Sequence, residues 1–482
     1  MAEYKLLDLF AGGGGFSTGF SQASFSDHRF KLLRALELDD FACQTLETRY
    51  GAASVIKGDI TTEEVKEQIF KECQGVDVII GGPPCQTFSL AGPARSGSKE
   101  MRERLKNDPR NTLYKHFLEV VEELKPSFVV FENVEGMVSK KADSQLNDKQ
   151  GQIIELVCDE LESLGYCTNL EYNFTERYQV LNAAEYGTPQ FRRRIIIIAN
   201  RFGLVNPVPE KTHVKQYETI QNAIGDLPVR LPKISSRDMK TLKNIDIIKK
   251  YYQQSLDFFM NQIHQLSQRK RIHGEHHVLL ELYNELNEIY RNIYDKKRYK
   301  IRGLEEFISV YNELVIKLEI NKYGETTINQ THQSREHNFR DIVIFSAMKQ
   351  GSNSARFMNP ENEDYSKILD EMYPYARNKH KDTYVKHSFD RPSNTILAHM
   401  EKDGLKFIHP EQPRTFTPYE AALLQSFPKD YSFSGMRNAQ YRQIGNAVPP
   451  KMATAIGNAI LKTITENSID PRRNEIRTHE PV

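Results

Sequence analysis

Three groups of residues in this chain could carry covalent or acid–base chemistry. The first is Cys85, in Gly81-Gly-Pro-Pro-Cys85-Gln-Thr-Phe-Ser89, directly after the apolar run Val76–Ile80. Glycines allow a sharp turn, and two prolines fix φ and remove backbone donors. A buried strand would therefore end in a stiff loop that presents one thiol. Open α/β sheets place their chemistry at the carboxyl ends of strands, so this setting suits a nucleophile. The alternative is a small buried filler, as unpaired cysteines commonly are. The second candidate is Glu132, in Phe131-Glu-Asn-Val134. A carboxyl group ending an apolar run can be partly desolvated and serve as an acid; a helix cap or an ion pair is the competing use. The third is Gln190-Phe-Arg192-Arg-Arg194, ahead of Ile195–Ile198. Alternate side chains of an extended segment share a face, so an amide and two guanidinium groups would point together, suited to a base edge and phosphates. A solvated strand end is the plainer reading of such an arginine run.

A further set suits a nucleotide-like ligand. Asp8-Leu-Phe-Ala-Gly-Gly-Gly-Gly15-Phe-Ser17 follows one apolar run and opens a helical pattern. Glu37, at the end of the next run, could bind a ribose diol, and Asp59 in Lys57-Gly-Asp-Ile60 could bond an adenine amine. The glycines are consecutive and do not follow G-x-G-x-x-G, and no later segment suggests a dehydrogenase pair. An adenosine-containing ligand is therefore favoured over NAD.

The elements that must position these residues alternate over the first 200 positions. Strand-like runs occur at Tyr4–Phe10, Phe30–Leu38, Val76–Ile80, Ser127–Phe131 and Arg194–Ala199. Amphipathic stretches lie between them at Thr61–Cys73, Asn111–Leu124 and Gln152–Leu164. This pattern predicts a doubly wound, Rossmann-like, largely parallel α/β sheet. The first four strands end in polar or glycine-rich sequence, which gathers the candidates at one sheet edge.

After Asn200 the texture changes. Residues 206–235 are proline-spaced and read as a connector. Residues 236–330 contain no proline and predict three or four helices, with breaks near Gly274 and Gly303. Their interspersed charges read as solvated faces, although Arg269–Lys270–Arg271 could meet phosphate. His273, His276 and His277 lack a clear fourth ligand, so no metal is expected. Residues 331–435 are irregular and suit a loop-rich recognition module. Pro418–Ser426 and Pro450–Thr465 read as helices, and the last dozen residues as a frayed end.

Composition narrows the setting. The 482 residues carry a net charge of +1, so any nucleic-acid contact must use a local basic surface. No apolar run reaches the roughly 18 residues of a membrane span, and the N-terminus lacks a signal-peptide layout. The five cysteines are dispersed, without a C-x-x-C pair, which fits a reducing cytoplasm.

Taken in order, these motifs resemble the cytosine-C5 DNA methyltransferase family of prokaryotic type. The match rests on DLFAGGGGFS (8–17), Glu37, Asp59, GGPPCQTFS (81–89), ENV (132–134), QFRRR (190–194), RPSNTI (391–396) and QIGNAVPP (443–450). It covers about the first 200 and the last 95 residues. The resemblance implies S-adenosylmethionine as methyl donor and cytosine in duplex DNA as substrate. It implies Cys85 as the nucleophile at C6, Glu132 as the acid at N3, Arg194 as a binder of the target base, and Arg192 as an ordering group near the cysteine or phosphate. Around the cofactor it places Phe10, Gly12, Gly13, Glu37, Leu38, Asp59, Ile60, Pro84, Leu113 and Asn446. DNA contacts are expected from Gln86, Ser89, Gln190, Arg335, Asn338, Arg340 and Arg377, the last four within 331–390. Lys99–Lys106 reads as a lid over a flipped base. The domains expected are a catalytic domain at 1–205, a smaller target-recognition domain at 206–435 with a helical insertion at 236–330, and a returning segment at 436–482. A cytoplasmic monomer is expected, acting at the nucleoid, with at most a restriction endonuclease that shares its site without a stable complex. A tRNA cytosine-C5 methyltransferase and a catalytically silent DNA-binding regulator are the alternatives.

Overall fold

The computed structural model describes residues 2–84, 112–139, 153–170, 176–235, 250–269, 276–295, 301–323, 331–356, 363–375, 383–400, 402 and 404–471. Two compact units divide the chain. The first comprises Met1–Glu218, Asn394–Ala398 and Gln425–Val482, and the second comprises Thr219–Ser393 and His399–Leu424.

The first unit begins β1 (Ala2–Leu9), α1 (Gly15–Gln22), β2 (Ser24–Phe25), β3 (His28–Glu37), α2 (Asp40–Tyr50), β4 (Val55–Lys57), α3 (Glu63–Glu72) and β5 (Val78–Gly81). It continues with α4 (Leu113–Leu124), β6 (Phe128–Val134), a helical turn at Gly136–Ser139, α5 (Ile153–Ser163), β7 (Gln179–Asn182) and β8 (Arg193–Asn200). The strands form one sheet in the order β2-β3-β1-β5-β6-β8-β7, with β4 on β3. Strands β3, β1, β5 and β6 run parallel. Their central residues are apolar on both faces, as a covered parallel sheet requires. Alternate residues split between two layers. Ile79, Val129, Phe131 and Ile197 pack with Phe117 and Val121 of α4 and Ile154 of α5 on one side. Val78, Ile80, Val130 and Ile198 pack with Phe16 and Phe20 of α1 on the other.

The parallel arrangement ends at β6. Strand β8 is antiparallel to both β6 and β7. A connection as short as 183–192 cannot hold the crossover that parallel strands need, so β7 and β8 pair as antiparallel neighbours. The reversal has a functional consequence. The first residues of β8 meet the last residues of β6, with Arg194 opposite Val134 and Ile196 opposite Glu132.

The second unit contains α6 (Ile220–Ile224), α7 (Tyr252–Gln268), α8 (His276–Asp295), α9 (Ile301–Tyr323), α10 (Phe339–Ala347), α11 (Glu363–Met372) and α12 (Pro418–Leu424). The expected break near Gly303 falls earlier, since α9 already includes that glycine. Helix α10 arises in sequence that reads as irregular, because nearly all its residues are buried and no polar face marks its period. One apolar cluster joins Leu256, Phe259 and Ile263 of α7, Phe307 and Tyr311 of α9, Phe339 and Ile342 of α10, and Tyr384 and Ile408 of the loops. The chain then re-enters the first unit as α13 (Arg437–Asn446) and α14 (Pro450–Glu466). Met452, Ile456 and Ile460 of α14 complete the apolar layer beside α1.

Candidate active site

On the nucleotide-like side, β1 leads into a loop of unusual backbone. Phe10 and Gly12 have φ of 61° and 56°, and a Cβ on Gly12 would meet nothing within 4 Å. Gly15 is the opposite case: a Cβ there would lie 2.3 Å from the carbonyl oxygen of Val448, so only glycine lets α1 start so close to the C-terminal segment. Glu37 ends β3 and ties this loop to the next. Its Oε2 accepts the Gly12 N–H at 2.7 Å, and Oε1 accepts those of Leu38 and Asp39 at 2.9 Å each. Burial raises its pKa, with the amides of Asp39, Gly12 and Leu38 opposing. A carboxylate has about four acceptor sites, so one remains for a ligand hydroxyl. Asp59 Oδ1 accepts the Thr61 amide and hydroxyl at 2.9 and 2.8 Å. Leu38 is 62% exposed beside this set, and Ile60 is buried. Leu113 is half-buried, whereas Pro84 and Asn446 are exposed.

On the chemical side, Glu132 is buried near the end of β6, and its Oε1 pairs with Arg194 Nε at 2.8 Å. Burial pushes the Glu132 carboxyl above its ordinary range although Arg194 and Arg192 oppose it. Burial of this kind favours the neutral, proton-bearing form of the carboxyl. The other oxygen faces the turn after β5, where a Cβ on Gly82 would lie 2.6 Å from Oε2. Asn133 fixes the same turn by donating from Nδ2 to the Pro83 carbonyl at 3.0 Å. The strand that carries the acid thus grips the loop that leads to residue 85. Cys85, Gln86, Ser89, the stretch Lys99–Lys106 and Arg377 lie outside the described residues.

The Gln-x-Arg-x-Arg residues do not share one outward face. Gln190 is fully buried; its Oε1 accepts the Ile396 N–H at 2.8 Å, and its Nε2 bonds Gln425 Oε1. Its amide is therefore occupied within the protein, against the expectation of a DNA contact. Arg192 is 1% exposed and donates to the carbonyls of Ile396 and Gly445, so it is not offered to phosphate. Short-period alternation fails here because Gln190–Arg192 precede β8 and are not part of the strand.

Two recognition candidates are likewise engaged within the second unit. Asn338 caps α10, accepting the Asp341 N–H at 2.7 Å. Arg340 is 9% exposed, and its guanidinium lies on Asp341 at 3.2 Å. Arg335 is half-buried. Spacing alone does not separate a helix cap from a base-reading amide.

The sequence reading missed the Arg414–Glu420 pair of the second unit. Both side chains are fully buried and joined by two bonds of 2.7 Å. The available signal was Thr417-Pro-Tyr-Glu420, a capping box. The Thr417 N–H reaches Glu420 Oε2 at 2.8 Å, and Thr417 Oγ1 accepts the Glu420 N–H at 3.2 Å. Among the described residues no group of three or more His, Cys, Asp or Glu could hold a metal ion, and no helix is long and apolar enough to cross a membrane.

Comparison with known proteins shows the family of the chain. A type II methyltransferase by name, M.OihORF3336P of Oceanobacillus iheyensis, is 30% identical over 488 residues, covering 95% of this chain and 96% of its own. The type II methyltransferase M1.HphI of Haemophilus parahaemolyticus is 27% identical, covering 95% and 87%. The type II methyltransferase M.DdeI of Desulfomicrobium norvegicum is 29% identical, covering 95% and 88%. A crystal structure described as a DNA modification methyltransferase encoded within an E. coli prophage shares the fold. It has a TM-score of 0.55 at 20% identity, covering 96% of this chain and 99% of that one. Residues 4–462 match the sequence pattern of one family, and the chain belongs to it: the C-5 cytosine-specific DNA methylases.

Proposed function

We propose that this chain transfers a methyl group from S-adenosylmethionine to C5 of a cytosine in duplex DNA, with Cys85 as covalent catalyst. The observation that carries the reading is the Glu132–Arg194 pair beside the Pro83 turn. A buried carboxyl and a guanidinium flank the loop that leads to the sequence's candidate nucleophile.

The residues present fit the cofactor. Gly12 opens on free space, Glu37 keeps an acceptor for a ribose hydroxyl, and Leu38 and Asp59 stand beside it. Phe10, Gly13, Ile60, Pro84, Leu113 and Asn446 would complete the holding set. When bound, S-adenosylmethionine supplies an electrophilic sulfonium methyl. The protein's task is to make C5 nucleophilic. Cytosine must first leave the duplex, at a cost of a few kcal/mol. Arg194 would hold the base, and Glu132 would give or share a proton at N3. The Cys85 thiolate would add to C6, leaving C5 enamine-like. After methylation, loss of the C5 proton and expulsion of the thiolate restore the aromatic ring.

The relatives named as type II methyltransferases support a modification role in a restriction-modification system. Any cognate endonuclease would read the same site without a stable complex, and the chain would act as a cytoplasmic monomer. The test is transfer of labelled methyl by wild type and Cys85→Ala to duplex DNA and to tRNA. Label should enter C5 of cytosine in the duplex, and Cys85→Ala should lose several orders of magnitude in rate. Methylation persisting in Cys85→Ala, or label confined to tRNA, would overturn the proposal. Mapping 5-methylcytosine in a host that lacks it would give the target sequence.

A further inference from the structure

Gln190–Arg192 grip a segment with a particular place in the chain. Asn394–Ala398 belongs to the first unit, although the chain up to Ser393 and from His399 belongs to the second. Three bonds hold this segment, and a fourth from the same residues reaches Gly445. Gln190 Oε1 accepts the Ile396 N–H at 2.8 Å, and the Phe191 carbonyl accepts the Thr395 hydroxyl at 2.6 Å. Arg192 Nη1 donates to the Ile396 carbonyl at 3.0 Å, and Nη2 donates to the Gly445 carbonyl at 2.8 Å. Gly445 is itself pressed on this segment, since a Cβ there would lie 2.3 Å from the Ala398 nitrogen. Gln425 extends the set by donating to the carbonyls of Ile444 and Ala447 at 2.8 and 3.0 Å.

Three stretches distant in sequence thus close around one guanidinium. Its Nε has no hydrogen-bond partner among the described residues. The charged groups that act on it are Arg194 and Glu132, two residues along its own segment and on β6. A buried cation held by carbonyl dipoles is costly to maintain, and an apolar side chain would fill the same space. What the guanidinium adds is a planar fork that spans two carbonyls, which an ammonium cannot reproduce. One of those carbonyls immediately precedes Asn446, and the guanidinium itself lies two residues before Arg194.

We propose that Arg192 is a positioning residue: it clamps Asn394–Ala398 and the end of α13 onto the segment that carries Arg194, so that Arg194–Glu132 and Asn446 are set by one device. This inference rests on the methyltransferase reading.

The experiment compares full-length wild type, Arg192→Lys, Thr395→Val and the double variant in single-turnover methylation of duplex DNA. DNA affinity is measured alongside over a range of salt. The rate constant of Arg192→Lys should fall roughly ten- to a hundredfold, as misplacement of about an ångström can do. Its DNA affinity should stay within about twofold and its salt slope unchanged. Thr395→Val, which removes one bond of the same clamp, should fall less, and adding it to Arg192→Lys should cost little more. A merely structural role would lower the burst amplitude, which counts folded enzyme, and leave the rate constant alone. That outcome, or an unchanged rate, would overturn the proposal. So would weaker DNA binding with the salt slope reduced by about one, the mark of a phosphate contact. Should Arg192→Lys fail to fold, Thr395→Val decides by the same rate constant. An inactive wild type would instead count against the methyltransferase reading itself.

Discussion

Asp8 and Glu132 show how this protein uses burial on single carboxyl groups. Asp8, on β1, is 1% exposed, and desolvation pushes its pKa up to about 7 against the Ser17 hydroxyl and amide, with the charge of Glu37 adding to the rise. Tyr50 and Tyr431 lie in the field of the same carboxyl. The unfolded value is about 3.9, so between about pH 4 and 7 the folded state holds a proton that the unfolded chain has lost. The stabilisation from that proton is complete below pH 4 and is lost as pH rises through 7. Asp8→Asn removes this dependence. Urea unfolding at pH 5 and pH 7 should show wild type losing about 2 kcal/mol relative to the variant. Parallel pH dependences would mean that Asp8 is ionised throughout. Because Ser17 opens α1 beside the glycine loop, the same titration should loosen the cofactor side first.

Among the elements, α7–α9 brace the second unit. Phe259 of α7 meets Phe307 and Tyr311 of α9 and Phe339 of α10 with ring centroids 5.9, 5.0 and 6.4 Å apart. One side chain therefore ties the helices predicted as an insertion to the part of the unit expected to read DNA. Phe259→Ala should cost about 3–5 kcal/mol through the cavity it leaves, read as a lower urea midpoint with unchanged m-value. A loss under about 1 kcal/mol would mark the helices as a separable appendage. The sequence showed these helices because their faces alternate between charge and apolar residues. It also showed the long strands and the places of Glu37 and Glu132 near their carboxyl ends. It did not show β4 or β7, whose three and four residues are too few to carry a period, nor the reversal of β8. The uses of Gln190 and Arg192 were hidden for a different reason. Their partners, Ile396, Gln425 and Gly445, are more than 200 residues away, and residue type alone does not tell a phosphate clamp from an internal one.

At the scale of the whole molecule, the first unit is closed by the last part of the chain. Helix α1 has eight residues, short of the roughly 12–15 at which an isolated helix becomes even marginal. Phe16 and Phe20 face the sheet, and Gly19 meets α14 so closely that a Cβ would lie 2.3 Å from that of Ala453. Thr454 Oγ1 donates to the Gly19 carbonyl at 3.0 Å across 435 residues of sequence. Helix α14 contributes Met452, Ile456, Ile460, Leu461 and Ile464 to the shared core. Burying five such side chains contributes on the order of 8–15 kcal/mol, as much as an entire domain has to spare. A chain ending at Pro449 should therefore lose its cooperative thermal transition and its cofactor binding together. Gly19→Val, a smaller insult at the same contact, should lower the transition temperature and weaken S-adenosylmethionine binding in the calorimeter without abolishing either. The glycine loop leads directly into α1, so any disturbance of the α1–α14 contact reaches the nucleotide-like side of the site before it reaches Glu132. A truncated chain that still melts cooperatively and binds cofactor as wild type would show that the loop is held by the sheet alone.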